Sequence, residues 1–217
     1  MSNECRAVHN LTKQLERHSF PFKDSVIPKN GIYILFQQSE VGHGQDRIVR
    51  IGTHTGNNQL RSRLKQHFLA ENKNRSIFRK NIGRALLNKR NDPFLQHWEF
   101  DLTTRKAKDQ HSSLVDFDYQ KQVENEVSQY IRDNFSFVVF EGEDKADRLE
   151  IESKLISTVS LCDECNASDN WLGNYSPKTK IVESGLWLVT ELYKTPFDAS
   201  GVEHFSRLVS KHIKKAN

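Results

Sequence analysis

Glu152 is the first residue whose setting suggests chemistry. Over residues 145–160, apolar side chains fall at Leu149, Ile156 and Val159, and position 152, which completes the 3, 4, 3 spacing of one helix face, is a glutamate. A carboxylate on such a stripe is unfavourable unless it is paired, protonated or bound to a cation. An arginine partner, or a place at the exposed edge of the stripe, is the plain alternative to a metal ligand. Arg63 and His67 stand four residues apart and project from the same helix face, beside Leu60 and Leu64. A fixed guanidinium for phosphate charge and an imidazole for proton transfer or phosphate contact are what phosphodiester chemistry uses. Most such pairs are solvated surface, so the pair means little alone. Tyr33 lies in a short apolar run, where strands favour aromatics and most tyrosines are core. Cys162 and Cys165 form a C-x-x-C that would make half a zinc site. No second C-x-x-C and no H-x-x-x-H pair accompanies it.

The elements that must position these residues can be read from punctuation and period. Residues 1–28 read as a helix followed by a loop ending at Pro28. Gly31–Phe36 (GIYILF) has the length of a buried strand, and Ile48–Gly52 (IVRIG) forms its antiparallel return. Gln37–Asp46, containing Gly42 and Gly44, reads as the hairpin loop between them. Leu60, Leu64 and Phe68 then mark a helix over 59–70, with Asn57 or Asn58 as N-cap. A second helix fits Ile77–Lys89, with Phe78, Ile82, Ala85 and Leu86 as its stripe. His97–Leu102 and Ser136–Glu141 read as further strands, with an acidic helix over Tyr119–Asp133 between them. Lys145–Ser160 is a helix, Trp171–Pro177 and Ser184–Val189 are structured or buried segments, and Gly201–Asn217 ends in a short basic helix.

Taken together these features resemble the GIY-YIG nuclease superfamily. The resemblance rests on Gly31-Ile32-Tyr33, a hairpin, Arg50-Ile51-Gly52, the Arg63 helix (SRLKQHF) and the Glu152 helix (IESKLI), in the family's order over about 31–166. It implies an α/β (α+β) fold, a small antiparallel β-sheet flanked by helices. The expected organisation is an N-terminal extension over 1–28, a core over 29–166 with an insertion at about 90–135, and a C-terminal extension over 167–217 packed on the core. It implies a divalent-metal-dependent DNA endonuclease of restriction, repair or mobile-element type. Carried onto this chain, Glu152 holds Mg2+ or Mn2+, Arg63 stabilises charge on the scissile phosphate, Tyr33 is the general base or positions water, and His67 supports Tyr33 or contacts phosphate. Two departures stand out. Arg50 occupies the place of the family's second tyrosine; it could neutralise phosphate or favour the phenolate of Tyr33, but it cannot replace a phenol as base. The family often has an asparagine after the glutamate helix, and both Asn166 and Asn170 are near enough. A DNA-binding protein on this scaffold with weak or lost catalysis is the rival reading, and chance coincidence of the motifs a third.

Charge patterning points to the same partner. Residues 47–90 hold twelve lysines and arginines and one acid, Glu71, a net +11, whereas 114–152 carry eleven acids and four bases, a net −7. Segregation of this kind draws a polyanion such as DNA to the basic stretch, unless the two segments neutralise each other within the fold. No run approaches the length of a membrane span, and three cysteines are a poor disulfide framework, so a reduced, cytoplasmic setting is expected. Double-strand cleavage would call for a homodimer; the sequence leaves the oligomeric state open.

Overall fold

The computed structural model describes residues 2–142 and 144–216. In chain order the elements are α1 (Ser2–Thr12), β1 (His18–Ser19), β2 (Ile32–Gly42), β3 (Gln45–Gly52), α2 (Leu60–Phe68), α3 (Ile77–Lys89), α4 (Leu95–Trp98), α5 (Arg105–His111), α6 (Phe117–Asn134), β4 (Phe135–Phe140), α7 (Lys145–Ser160), α8 (Thr179–Ser184) and α9 (Ala199–Ala216). The four strands form one antiparallel sheet in the order β1-β4-β2-β3. Among the described residues no helix is long and apolar enough to cross a membrane.

Both faces of the sheet are covered, which explains why GIYILF is continuously apolar instead of alternating. Tyr33, Leu35, Val49 and Phe137 point into one core with residues of α2, α3 and α6. Ile34, Phe36, Ile48, Ile51 and Phe140 point into the other with residues of α1, α7 and α9. The expected mixed fold with a small antiparallel sheet and flanking helices is what forms. The Trp171 and Trp187 indoles also belong to the first core, so each of those segments is anchored in the interior. Both donate to Gln37 Oε1, and the backbone N–H of Trp187 reaches the Val49 carbonyl at 2.8 Å.

Several local expectations are corrected. Most of Gln37–Asp46 is strand, because its polar residues find buried partners. Gln37 donates to the Tyr130 hydroxyl, and Glu40 pairs with Arg47. The turn is only His43–Gly44, with φ of 51° and 73°, the left-handed pair that suits a two-residue hairpin. His97–Leu102 is no strand. Asp92 Oδ1 accepts from Phe94 N–H just before α4, and that short helix buries Trp98 against Gly83, with its indole N–H on the Lys80 carbonyl. The N-cap of α2 is Gln59 with no side-chain bond; Asn58, in a left-handed conformation, pairs instead with Asn30. Helix α9 begins at Ala199, two residues before the expected tail, and Asn217 lies outside the described residues. By contrast α3 and α7 span the expected residues, each opened by a capping side chain, Ser76 and Asp144.

The basic tract is rearranged most. Arg47 is buried on Glu40, Arg79 on Glu124, and Arg84 on Glu99, while Arg50 is enclosed within the first core's edge. Arg90 reaches Glu126 in the acidic segment. Much of the +11 is therefore engaged inside the molecule, and the basic and acidic segments do partly neutralise each other.

Candidate active site

Helix α7 carries Glu152 to the edge of its apolar stripe. Ile151, Leu155, Ile156 and Val159 form the buried face, and Leu149, 37 % exposed, opens with Glu152 onto a cleft. The expected stripe was thus rotated by one position, and the carboxylate is half-buried rather than interior. The cleft has a volume of about 480 Å³ and is lined also by Thr53, His54, Gln59, Arg63 and Gln66. Glu152 Oε1 accepts from the Thr53 backbone N–H at 2.9 Å. Burial raises the Glu152 carboxyl from its ordinary value, with Glu191 adding to the rise; the Thr53 N–H and the charges of Arg50 and Arg63 oppose it.

Arg63 faces the same cleft from α2. Its Nη1 donates to Gln66 Oε1 at 3.3 Å and to the Arg75 carbonyl at 3.4 Å, and no carboxylate pairs with it among the described residues. A half-exposed guanidinium held by neutral acceptors retains its charge for an incoming anion.

Behind the cleft wall sit the other three expected residues. Tyr33, on β2, is 0 % exposed, and His67 and Arg50 are buried with it. Tyr33 pairs in register with Gly52, and a Cβ on Gly52 would lie 2.3 Å from the phenolic oxygen. Only glycine at position 52 lets the hydroxyl occupy this place, one residue from Thr53 in the cleft wall. Tyr33 Oη lies 2.8 Å from His67 Nε2 and accepts from Arg50 Nε at 3.3 Å. Arginine can only donate, which leaves His67 Nε2 as the neighbour able to accept the phenol proton. In that tautomer His67 carries its own proton on Nδ1, 2.7 Å from the Ser76 hydroxyl. Burial, reinforced by Arg50, Arg63 and Arg79, holds the His67 imidazole well below its ordinary value, so it is neutral at pH 7. Arg50 also donates through Nη1 to the Trp187 carbonyl.

The structure therefore brings all five sequence-derived residues to one region but divides them. Glu152 and Arg63 line the cleft; Tyr33, Arg50 and His67 form a closed network beneath it. Neither Asn166 nor Asn170 lines the cleft, and Asn166 instead donates to the Asp163 carbonyl. Sequence reasoning missed Thr53 and Ser76 as positioning residues. Ser76 was readable as the N-cap of α3, but its contact with His67 needs the fold. His54 is engaged at both ring nitrogens, accepting from Gly31 N–H at 3.2 Å and donating to the Gly56 carbonyl at 2.6 Å.

Comparison with known proteins bears on this arrangement. The model of the GIY-YIG domain family matches residues 5–215. No curated protein and no solved structure matches the chain. Matched over nearly its whole length, the chain belongs to the GIY-YIG domain family and thereby to a superfamily of nucleases.

Proposed function

We propose that this chain is a divalent-metal-dependent DNA endonuclease that hydrolyses phosphodiester bonds in the cleft between α2 and α7. The observation that carries the reading is that Glu152 and Arg63, a carboxylate and an unpaired guanidinium, line the same cleft. The donor set suits Mg2+ or Mn2+. One half-buried carboxylate with a raised affinity for protons gains from a cation, and the cleft leaves room for the waters such an ion retains. When bound, the ion supplies Lewis-acid polarisation of the phosphoryl group.

The chain's own residues have separable parts in this reading. Glu152 is the ion's protein ligand, oriented by the Thr53 N–H. Arg63 contacts the phosphate and stabilises the charge that develops on it. Hydrolysis joins a water oxygen to phosphorus, breaks the bond to the leaving oxygen, and moves one proton from the water to that oxygen. A neutral phenol must shed its proton before it can accept one. Tyr33 would pass it to His67 Nε2, 2.8 Å away, leaving a phenolate beside Arg50. The three arginines around His67 disfavour the resulting imidazolium, so this transfer is uphill at rest.

The full enclosure of Tyr33 specifically favours a second reading, a DNA-binding protein on this scaffold with weak or lost turnover. Supercoiled plasmid and mixed genomic DNA, incubated with and without Mg2+ or Mn2+, separate the two. Metal-dependent nicking supports the nuclease. Retention of DNA without nicking on either substrate supports the binding protein and overturns the first reading.

A further inference from the structure

We propose a second metal site, a structural zinc centre formed by Cys5, His9, His43 and Cys165, at the end of the β2–β3 hairpin away from the cleft. One ligand atom from each residue lies within 4.8 Å of all the others. One thiol of the sequence's C-x-x-C, Cys165, finds partners, but only in the fold. Cys5 and His9 stand four residues apart on one face of α1, and His43 occupies the hairpin turn.

The geometry approaches that of a zinc centre. Tetrahedral zinc, with bonds of about 2.3 Å to sulfur and about 2.0–2.1 Å to nitrogen, places its ligand atoms roughly 3.3–3.8 Å apart. Cys5 Sγ and Cys165 Sγ are 3.6 Å apart. All three cysteines are free thiols. His9 is buried, its Nδ1 lies 3.0 Å from the Cys5 carbonyl, and its Nε2 has no hydrogen-bond partner. A ring nitrogen anchored on a carbonyl with the other left bare is the usual setting of a metal-bound histidine. The two imidazoles meet edge to face at 5.0 Å between centroids. Gly42 keeps the space open: a Cβ there would lie 3.1 Å from Cys165 Sγ and 3.4 Å from His9 Nε2.

Buried, mutually close thiols and an orphaned imidazole nitrogen are unfavourable unless a ligand satisfies them. A borderline-soft ion that takes two thiolates and two imidazoles fits this set better than the hard ion that Glu152 would hold. Binding removes one proton from each of Cys5 and Cys165. Cys162, 3.4 Å from His43 Nε2, stays outside the four as a neighbour of that histidine. The centre would tie α1, the hairpin turn and the segment after α7 to one another.

The test is elemental analysis of the full chain purified under reducing conditions, followed by Co2+ exchange and absorption spectroscopy. One zinc per chain, and a Co2+ spectrum with tetrahedral ligand-field intensity and thiolate charge transfer, are expected. Cys5→Ala, His9→Ala and Cys165→Ala should each retain less than about a tenth of the metal, while Cys162→Ala keeps one equivalent. If the alanine variants do not fold, the wild-type metal content and cobalt spectrum decide alone. Wild type without zinc and with an octahedral cobalt spectrum, or with a Cys5–Cys165 disulfide instead, overturns the proposal. Loss of zinc from Cys162→Ala overturns the assigned ligand set.

Discussion

The two ends of the β2–β3 hairpin handle buried polar groups in opposite ways. At the Tyr33–Gly52 end the buried groups satisfy one another: Tyr33 bonds to His67, Arg50 donates to Tyr33 and to the Trp187 carbonyl, and His67 meets Ser76. At the His43–Gly44 end, His9 Nε2 is left bare among thiols. A closed network holds its geometry without help, and what it lacks is access. An open cluster has close-set ligand atoms that do not satisfy one another, and a cation would complete it.

The largest effect expected from this contrast is on stability. Stripping the metal from the Cys/His cluster should lower Tm by at least about 10 °C, since a structural zinc contributes several kcal/mol and each kcal/mol moves a chain of this size by about 2–4 °C. Calorimetry before and after mercurial release of the ion measures it. An unchanged Tm would mean that the cluster is an ordinary buried thiol pocket. Tyr33→Phe acts at the other end. It leaves His67 Nε2 and Arg50 Nε without their partner, which should lower stability by about 1–3 kcal/mol. Single-turnover cleavage should fall by about 100-fold or more, with DNA affinity unchanged. Cleavage at the wild-type rate would remove Tyr33 from the proton path.

How much of this was legible beforehand depends on how local the signal was. Helices α3 and α7 were readable to their ends, because Ser76 and Asp144 cap them and the 3.6 period is sustained. Tyr33, Arg50, Arg63, His67 and Glu152 were readable because each sits in a short motif whose order survives. HWEFDL alternates like a strand, yet Trp98 is held by Gly83 across the fold, and tertiary packing prevailed over the local pattern. The Cys/His cluster was illegible because Cys5 and Cys165 are brought together by chain reversal, at a separation of 160 residues. Counting charges could not reveal that Arg47, Arg79 and Arg84 are enclosed on carboxylates.

Arg79, buried on Glu124 and Ser128, is structural: Arg79→Ala should destabilise by about 3–5 kcal/mol, by leaving Glu124 unpaired. In the proposed reading, the cations available to a DNA strand are instead Arg63 in the cleft and Lys29 and Arg61 in a second recess, which Arg148 also lines. Arg148 is buried, with Nε and Nη2 lacking hydrogen-bond partners. Arg61→Gln should weaken binding several-fold and reduce the slope of log affinity against log salt by roughly 0.9, the contribution of one phosphate contact. An unaltered slope would place the DNA elsewhere.

The smallest effect concerns Glu152 and pH. Burial raises its carboxyl in the folded chain, so the unfolded chain ionises it at lower pH than the folded chain does. Ionisation therefore disfavours the fold, increasingly as pH climbs from the unfolded value through the folded one. Without divalent metal, Glu152→Gln should melt a few degrees above wild type at pH 7, with Gln still accepting from the Thr53 N–H. The difference should vanish below the carboxylate range. A variant that melts lower at pH 7 would show that the carboxylate stabilises the fold.

The same variant carries the most direct test of the active site, read in cleavage instead of melting. Wild type and Glu152→Gln are compared under single-turnover conditions across a titration of Mg2+ and of Mn2+, with DNA binding measured alongside. If Glu152 holds the ion, the variant binds DNA like wild type and cleaves at least about 1000-fold more slowly, a loss of about 4 kcal/mol of transition-state stabilisation, at every metal concentration. A folded Glu152→Gln that cleaves within a few-fold of wild type contradicts the account.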